Sequence, residues 1–146
     1  MTIEDSVRGG EPRVRAVRGA TVVAADEREL LCDVVCELLT EMMRGNAIGT
    51  GDIISVSFTV TNDLRSEFPA RCARRLEGWD EIPMICAAEV DVPGSLPMCI
   101  RVLMHIYSSL SRGDIRHVYL REAQQLRPDW SAGKAVGSPE PVARRK

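Results

Sequence analysis

The sequence predicts an α+β domain, a mixed β-sheet covered by one main helix plus a short helix. Three observations carry that expectation. Only one stretch, opening at Asp26, repeats apolar residues at helical spacing over several turns. The other apolar runs are short, alternate or are continuous like strands, and are separated by Pro, Gly and Asp punctuation. At 146 residues the chain suffices for one core but not for two domains.

Residues 1–12 are polar and glycine-rich and read as a flexible extension, with the folded domain over 13–130. Val14 to Thr21 is the first expected strand, with Arg18 and Gly19 near its end. The main helix is expected from Asp26, with Glu29 completing a capping box. Leu31, Val34, Val35, Leu38, Leu39 and Met42 form its buried face, and Arg44-Gly45 its stop.

Ile54 to Thr61 alternates apolar and polar residues, which predicts a strand with one wet face. Phe68 to Leu76 reads as a short helix with Pro69 in its first turn, before Gly78. Pro83 to Ala88 is a short strand leading to Glu89. A Pro93-Gly94 turn then precedes the run Cys99 to Tyr107, which reads as a strand buried on both faces. Ile115 to Leu120 is the last expected strand, and 131–146 reads as a disordered tail. One helical cover over one sheet leaves a face to be buried by association, so an oligomer is expected.

Composition narrows the function. The net charge of −2 gives no reason to expect nucleic acid. No stretch approaches the roughly 20 apolar residues of a membrane span, and no apolar leader core is visible, so a soluble, cytoplasmic protein is expected. The five cysteines include no C-x-x-C pair. Cys32 and Cys36, one helical turn apart, read as core packing, and reduced thiols are the simplest expectation. Nucleotide fingerprints, hydrolase elbows and His/Cys metal spacings are absent, so no standard covalent or metal machinery is visible. His105 and His117 read as packing or hydrogen-bonding residues.

What recurs is arginine at strand ends and on the short helix: Arg18, Arg71, Arg74, Arg101 and Arg127. Arg101 stands alone inside an apolar strand. A guanidinium keeps its proton on burial, so it needs either an internal carboxylate or an anionic ligand. Glu89, Cys86 and Tyr119 accompany the arginines, a set suited to a small organic anion with several carboxylates. Arg74 and Arg75 also read as the wet face of a short helix, the favoured reading for Arg75, and Cys86 reads equally as core.

Six segments occur in a telling order: Val17-Arg18-Gly19-Ala20-Thr21, Phe68-Pro69-Ala70-Arg71, Leu76-Glu77-Gly78-Trp79, Cys99-Ile100-Arg101-Val102, Ile115-Arg116-His117-Val118-Tyr119-Leu120 and Leu126-Arg127-Pro128-Asp129. Together they resemble the monofunctional AroH-class chorismate mutases over about residues 13–130. The resemblance implies a homotrimer forming a pseudo α/β barrel, with active sites at subunit interfaces. It implies the cofactor-free Claisen rearrangement of chorismate to prephenate, on the route to phenylalanine and tyrosine.

Residue by residue, it implies Arg101 as the cation at the ether oxygen and Glu89 as the carboxylate near the ring hydroxyl. It puts Arg18 and Tyr119 on the enolpyruvyl carboxylate and Cys86 at the hydroxyl. Phe68, Ala70, Arg71, Arg74, Leu126 and Arg127 form the lining and mouth. Arg71 stands where the family commonly has lysine, and Ile85 replaces a small polar residue. An imino-acid enzyme of similar build, a non-catalytic binding subunit and a structural oligomer tied by arginine ion pairs are the competing readings.

Overall fold

The computed structural model describes residues 11–129. The expected C-terminal tail, and all but the last two residues of the expected extension, lie outside the described residues. Five strands form one mixed sheet: β1 (Arg13–Val22), β2 (Ile53–Val60), β3 (Met84–Ala88), β4 (Cys99–Ser108) and β5 (Val118–Tyr119), in the order β3-β2-β4-β1-β5. β4 lies at the centre, antiparallel to both β1 and β2, while β3 and β5 add in parallel at the two edges.

The main helix α1 (Arg28–Gly45) lies across one face, and the five-residue α2 (Pro69–Ala73) packs beside it. Leu31, Cys32, Val35, Leu38, Leu39 and Met42 are the buried face of α1. They meet Val17, Val56, Phe58, Ile100, Val102, Met104 and Ile106 in a single core. The approach is tight at Gly19, where a Cβ would stand 2.5 Å from Met42 Sδ and 3.3 Å from Leu38 Cδ1. Glycine there lets the helix sit directly on β1.

Strand alternation sorts side chains onto the two faces. Ile100, Val102, Met104 and Ile106 point at α1 and are buried. Arg101, Leu103, His105 and Tyr107 lie on the opposite face and are only half-buried or exposed. The expectation that this strand is buried on both faces is therefore corrected for the single protomer, because no element covers most of that second face. The truly buried arginine of the sheet is Arg15, whose Nε donates to the Leu110 carbonyl at 3.0 Å.

Four further expectations change. Asp26 does not cap α1: Glu27 is the N-cap residue, and the Asp26 carboxylate accepts the backbone N–H groups of Arg65 and Ser66 at 3.0 Å. The reason is tertiary, since the loop before α2 brings two unsatisfied donors to that carboxylate. Gly45 remains helical, and the left-handed residue is Ala47 at φ 53°. Asn46 makes the stop instead. Its amide donates to the carbonyls of Met42 (2.8 Å) and Arg116 (2.9 Å), and its Oδ1 accepts from the Arg116 N–H at 2.7 Å.

That clamp explains the third change, the shortening of the last strand to two residues. The backbone of Arg116 is bound to the helix end, and the Arg18 N–H goes to Nδ1 of His117 at 3.0 Å rather than to a ladder carbonyl. Fourth, Cys32 and Cys72 form a disulfide, leaving Cys36, Cys86 and Cys99 as thiols, so the expectation of five reduced cysteines is corrected. Packing of α2 on α1 brings the two Cα atoms to 4.8 Å across a separation of 40 residues. No local spacing rule reports such a contact.

Candidate active site

One row of paired residues runs across the open face of the sheet: Ala87, Thr59, Arg101, Ala20 and Tyr119. Directly paired residues share a face, so Arg101 and Tyr119 look the same way with only Ala20 between their strands. Arg18 lies on that face too, two residues before Ala20. Glu89 follows the end of β3, where its N–H donates to the Val60 carbonyl at 2.9 Å. From there its Oε1 stands 3.8 Å from Arg101 Nε, with both side chains mostly covered.

This pair is loose. Arg101 Nε is buried and makes no hydrogen bond, and Oγ1 of Thr59, its register partner, is likewise buried without one. Two shielded polar groups without a hydrogen bond therefore stand side by side on the open face. Sequence reasoning missed Thr59; its only signal was a hydroxyl within the alternating strand β2.

The 3₁₀ segment Arg121–Leu126 folds over the β1–β5 corner. Ala20, Tyr119 and Ala123 make a small buried cluster there, with Leu96 and Leu126 packed against it. Burial pushes the Tyr119 phenol above its ordinary value, and the Arg18, Arg127 and Arg101 guanidiniums pull it back. Tyr119 is thus a protonated donor among cations, a favourable combination for holding a carboxylate. Arg127 is held through Nε and Nη2 by Asp129 at 3.2 and 3.0 Å. Arg121, which sequence reasoning also missed, ties this corner to α1 by donating to Thr21 Oγ1 (3.1 Å) and Glu37 Oε1 (2.7 Å).

The remaining candidates gather elsewhere. Phe68, largely exposed, is the N-cap residue of α2, with the Arg71 guanidinium 5.5 Å from its ring centre. Cys86 pairs with Phe58 and therefore points to the helix side of the sheet, away from Arg101. Phe68 and Cys86 line one cavity of about 370 Å³, together with Val60, Leu64, Pro69 and Ala88. Arg71 and Arg74 line another of about 390 Å³. Ala70 is buried beneath them.

The candidates thus divide into two groups. Arg18, Glu89, Arg101, Tyr119, Leu126 and Arg127 occupy the open face and its corner. Phe68, Ala70, Arg71, Arg74 and Cys86 occupy the β3 edge and α2. Among the described residues no group of His, Cys, Asp and Glu could hold a metal ion, and no helix is long and apolar enough to cross a membrane.

Comparison with known proteins gives the family. The family model described as chorismate mutase type I matches residues 14–130. The chain is 38% identical over 121 residues to chorismate mutase AroH of Bacillus subtilis, covering 83% of this chain and 95% of that protein. It is 46% identical over 122 residues to chorismate mutase AroH of Thermus thermophilus, covering 83% and 99%. A solved chorismate mutase from Clostridium thermocellum superposes with a TM-score of 0.73 at 44% identity, covering 75% of this chain and 97% of that one. With sequence, fold and relatives in accord, the chain belongs to the type I chorismate mutases, a family of isomerases.

Proposed function

We propose that the protein rearranges chorismate to prephenate, for phenylalanine and tyrosine biosynthesis in the cytoplasm, at sites completed between subunits of a homotrimer. The observation that carries the reading is Arg101: a shielded guanidinium, 3.8 Å from Glu89, whose Nε makes no hydrogen bond within the protomer.

The chemistry asks for such a group. In a [3,3]-rearrangement the ether C–O bond breaks ahead of C–C bond formation, so negative charge grows on the ether oxygen and positive charge on the ring. Arg101 faces the oxygen and Glu89 the ring fragment, and both are in place before reaction begins. Arg18 and the Tyr119 hydroxyl grip the enolpyruvyl carboxylate and hold the compact diaxial conformer, which removes much of the entropic barrier. Electrons move within the substrate, so the reading needs no nucleophile, proton relay, metal or cofactor.

The two groups support the trimer. Phe68, Ala70, Arg71, Arg74 and Cys86 line the mouth from one subunit, against the Arg101 face of the next. Association also covers Leu103, Tyr107 and Val14, which the lone protomer leaves partly or fully exposed. Mixing two poorly active variants, Arg101→Ala and Arg71→Glu, tests this arrangement. After subunit exchange, about a quarter of the interfaces combine two intact halves, so activity returns toward that fraction. A mixture no more active than its parents would contradict the shared site.

A further inference from the structure

The Cys32–Cys72 disulfide plays no part in the rearrangement, yet its surroundings are specific. Cys72 is fully buried within α2. Cys32 is also buried, at 1% exposure, but forms part of the lining of the cavity of about 390 Å³ whose other walls are Arg28, Glu67, Arg71, Arg74 and Arg75. Four guanidiniums and one carboxylate therefore surround the opening onto a disulfide. Glu67 is shared between Arg28 (3.6 Å) and Arg71 (3.7 Å), and Arg75 is engaged by Glu29 (3.0 Å). Among the described residues Arg74 has no carboxylate within ion-pair distance.

We propose that Cys32–Cys72 is a reducible clasp on α2, opened by a small carboxylate-bearing thiol that this arginine-lined cavity recruits. Its effect on catalysis rests on the proposed role of Phe68, Ala70, Arg71 and Arg74 at the substrate mouth; its chemistry does not.

The step is thiol–disulfide exchange. The incoming thiolate attacks Sγ of Cys32, the only half of the bond that lines the cavity. The S–S bond breaks, and its electron pair leaves on Sγ of Cys72, which takes up a proton. A second thiol attacks the mixed disulfide at the reagent's own sulfur and releases Cys32 as a thiol. Two reagent thiols become one disulfide, and the protein gains two electrons and two protons. The cationic walls favour both the thiolate and the carboxylates of the reagent. Cys36 is a bystander: its thiol donates to the Cys72 carbonyl at 3.5 Å, and burial raises its pKa, so it stays protonated.

Reduction leaves α2 docked. Pro69, Ala70, Cys72 and Ala73 remain in the core, and the Arg75–Glu29 pair persists. The change is a loosening of α2, which moves substrate affinity more than turnover.

The test uses the full chain purified without reductant. Alkylation after denaturation, read by intact mass, is expected to label three of the five cysteines, and all five after reduction. Reduced glutathione is expected to open the bond about tenfold faster than its dimethyl ester at low salt, an advantage lost in high salt. The double variant Arg28→Ala/Arg75→Ala is expected to lose the same advantage. KM for chorismate is expected to rise about fivefold on reduction, with kcat within about twofold, and Cys32→Ser is expected to match the reduced enzyme. Five labelled cysteines without reductant, or equal rates for glutathione and its ester, would overturn the proposal. An oxidised and a reduced enzyme with the same KM would remove its link to catalysis. If the protein does not consume chorismate at all, thiol counts and reduction rates still judge the clasp separately from the mutase reading.

Discussion

The backbone N–H of Arg18 donates to Nδ1 of His117 at 3.0 Å, so an imidazole stands where the sheet would otherwise offer a carbonyl. As the acceptor in this contact, Nδ1 carries no proton. The contact also joins two proposed carboxylate-binding residues, Arg18 on β1 and Tyr119 two positions beyond the histidine. His117→Ala should lower kcat/KM by roughly tenfold, chiefly through KM, since a small displacement of either ligand is enough. His117→Asn, whose Oδ1 can take the place of Nδ1, should recover most of the loss. Steady-state kinetics of the two variants make the comparison, and equal defects would contradict it.

Thr59 offers the opposite kind of test. Its hydroxyl is buried without a hydrogen bond beside Arg101, so in the protomer it costs stability. Thr59→Val should leave the thermal midpoint unchanged or raise stability by about 1 kcal/mol. If substrate supplies the missing partner, kcat/KM should nevertheless fall about fivefold. A variant with unchanged kinetics would remove Thr59 from the site.

Gly19 is where the helix meets the sheet. A methyl group there would stand 2.5 Å from Met42 Sδ and 3.3 Å from Leu38 Cδ1, and both side chains are fully buried. Gly19→Ala should cost about 1–3 kcal/mol by overpacking. Because Arg18 is the preceding residue, kcat/KM should fall as well. Denaturant unfolding checks the first effect, and a midpoint equal to wild type would contradict it.

The Arg75–Glu29 pair, bidentate at 3.0 Å on both arms, joins α1 to the end of α2. Its hydrogen bond to Arg75, and then that guanidinium's charge, hold the Glu29 carboxyl below its ordinary value of 4.5. A carboxyl lowered in the folded state stabilises above its unfolded value, and that contribution drains as pH falls through the folded value. Both groups are solvated, so the effect is small. Glu29→Gln should therefore lower the thermal midpoint slightly at pH 6–7 and not at all near pH 2. A deficit that grows in acid would contradict the assignment.

The main helix, the central strands and the short helix with Pro69 in its first turn were legible because each is a local pattern: a 3.6-residue repeat, an alternation, a proline before an apolar turn. Arg101 was legible as a charge out of place in an apolar run and Glu89 as the acid after a short strand, although their neighbours in space were not. What escaped was tertiary. Asp26 looked like a cap and serves another loop; Cys72 looked like one more thiol and pairs across 40 residues with Cys32. Arg15, which no local pattern singles out, is buried against a carbonyl from beyond β4. The division of the site into two groups also escaped, since neither the face of Cys86 nor the distance from α2 to Arg101 is written in any local spacing.

In the proposed mechanism Arg101 supplies preorganised charge to the breaking ether bond. The most direct measurement follows the ultraviolet absorbance of chorismate with wild-type protein, Arg101→Ala and Arg101→Lys, with each confirmed as a trimer by gel filtration. Rapid loss with wild type is expected. Alanine should slow kcat by at least about 10²–10³-fold in an intact trimer, and lysine should recover only part of it, because it keeps the charge but not the fork. A trimeric Arg101→Ala enzyme that turns over chorismate at the wild-type rate would contradict the claim.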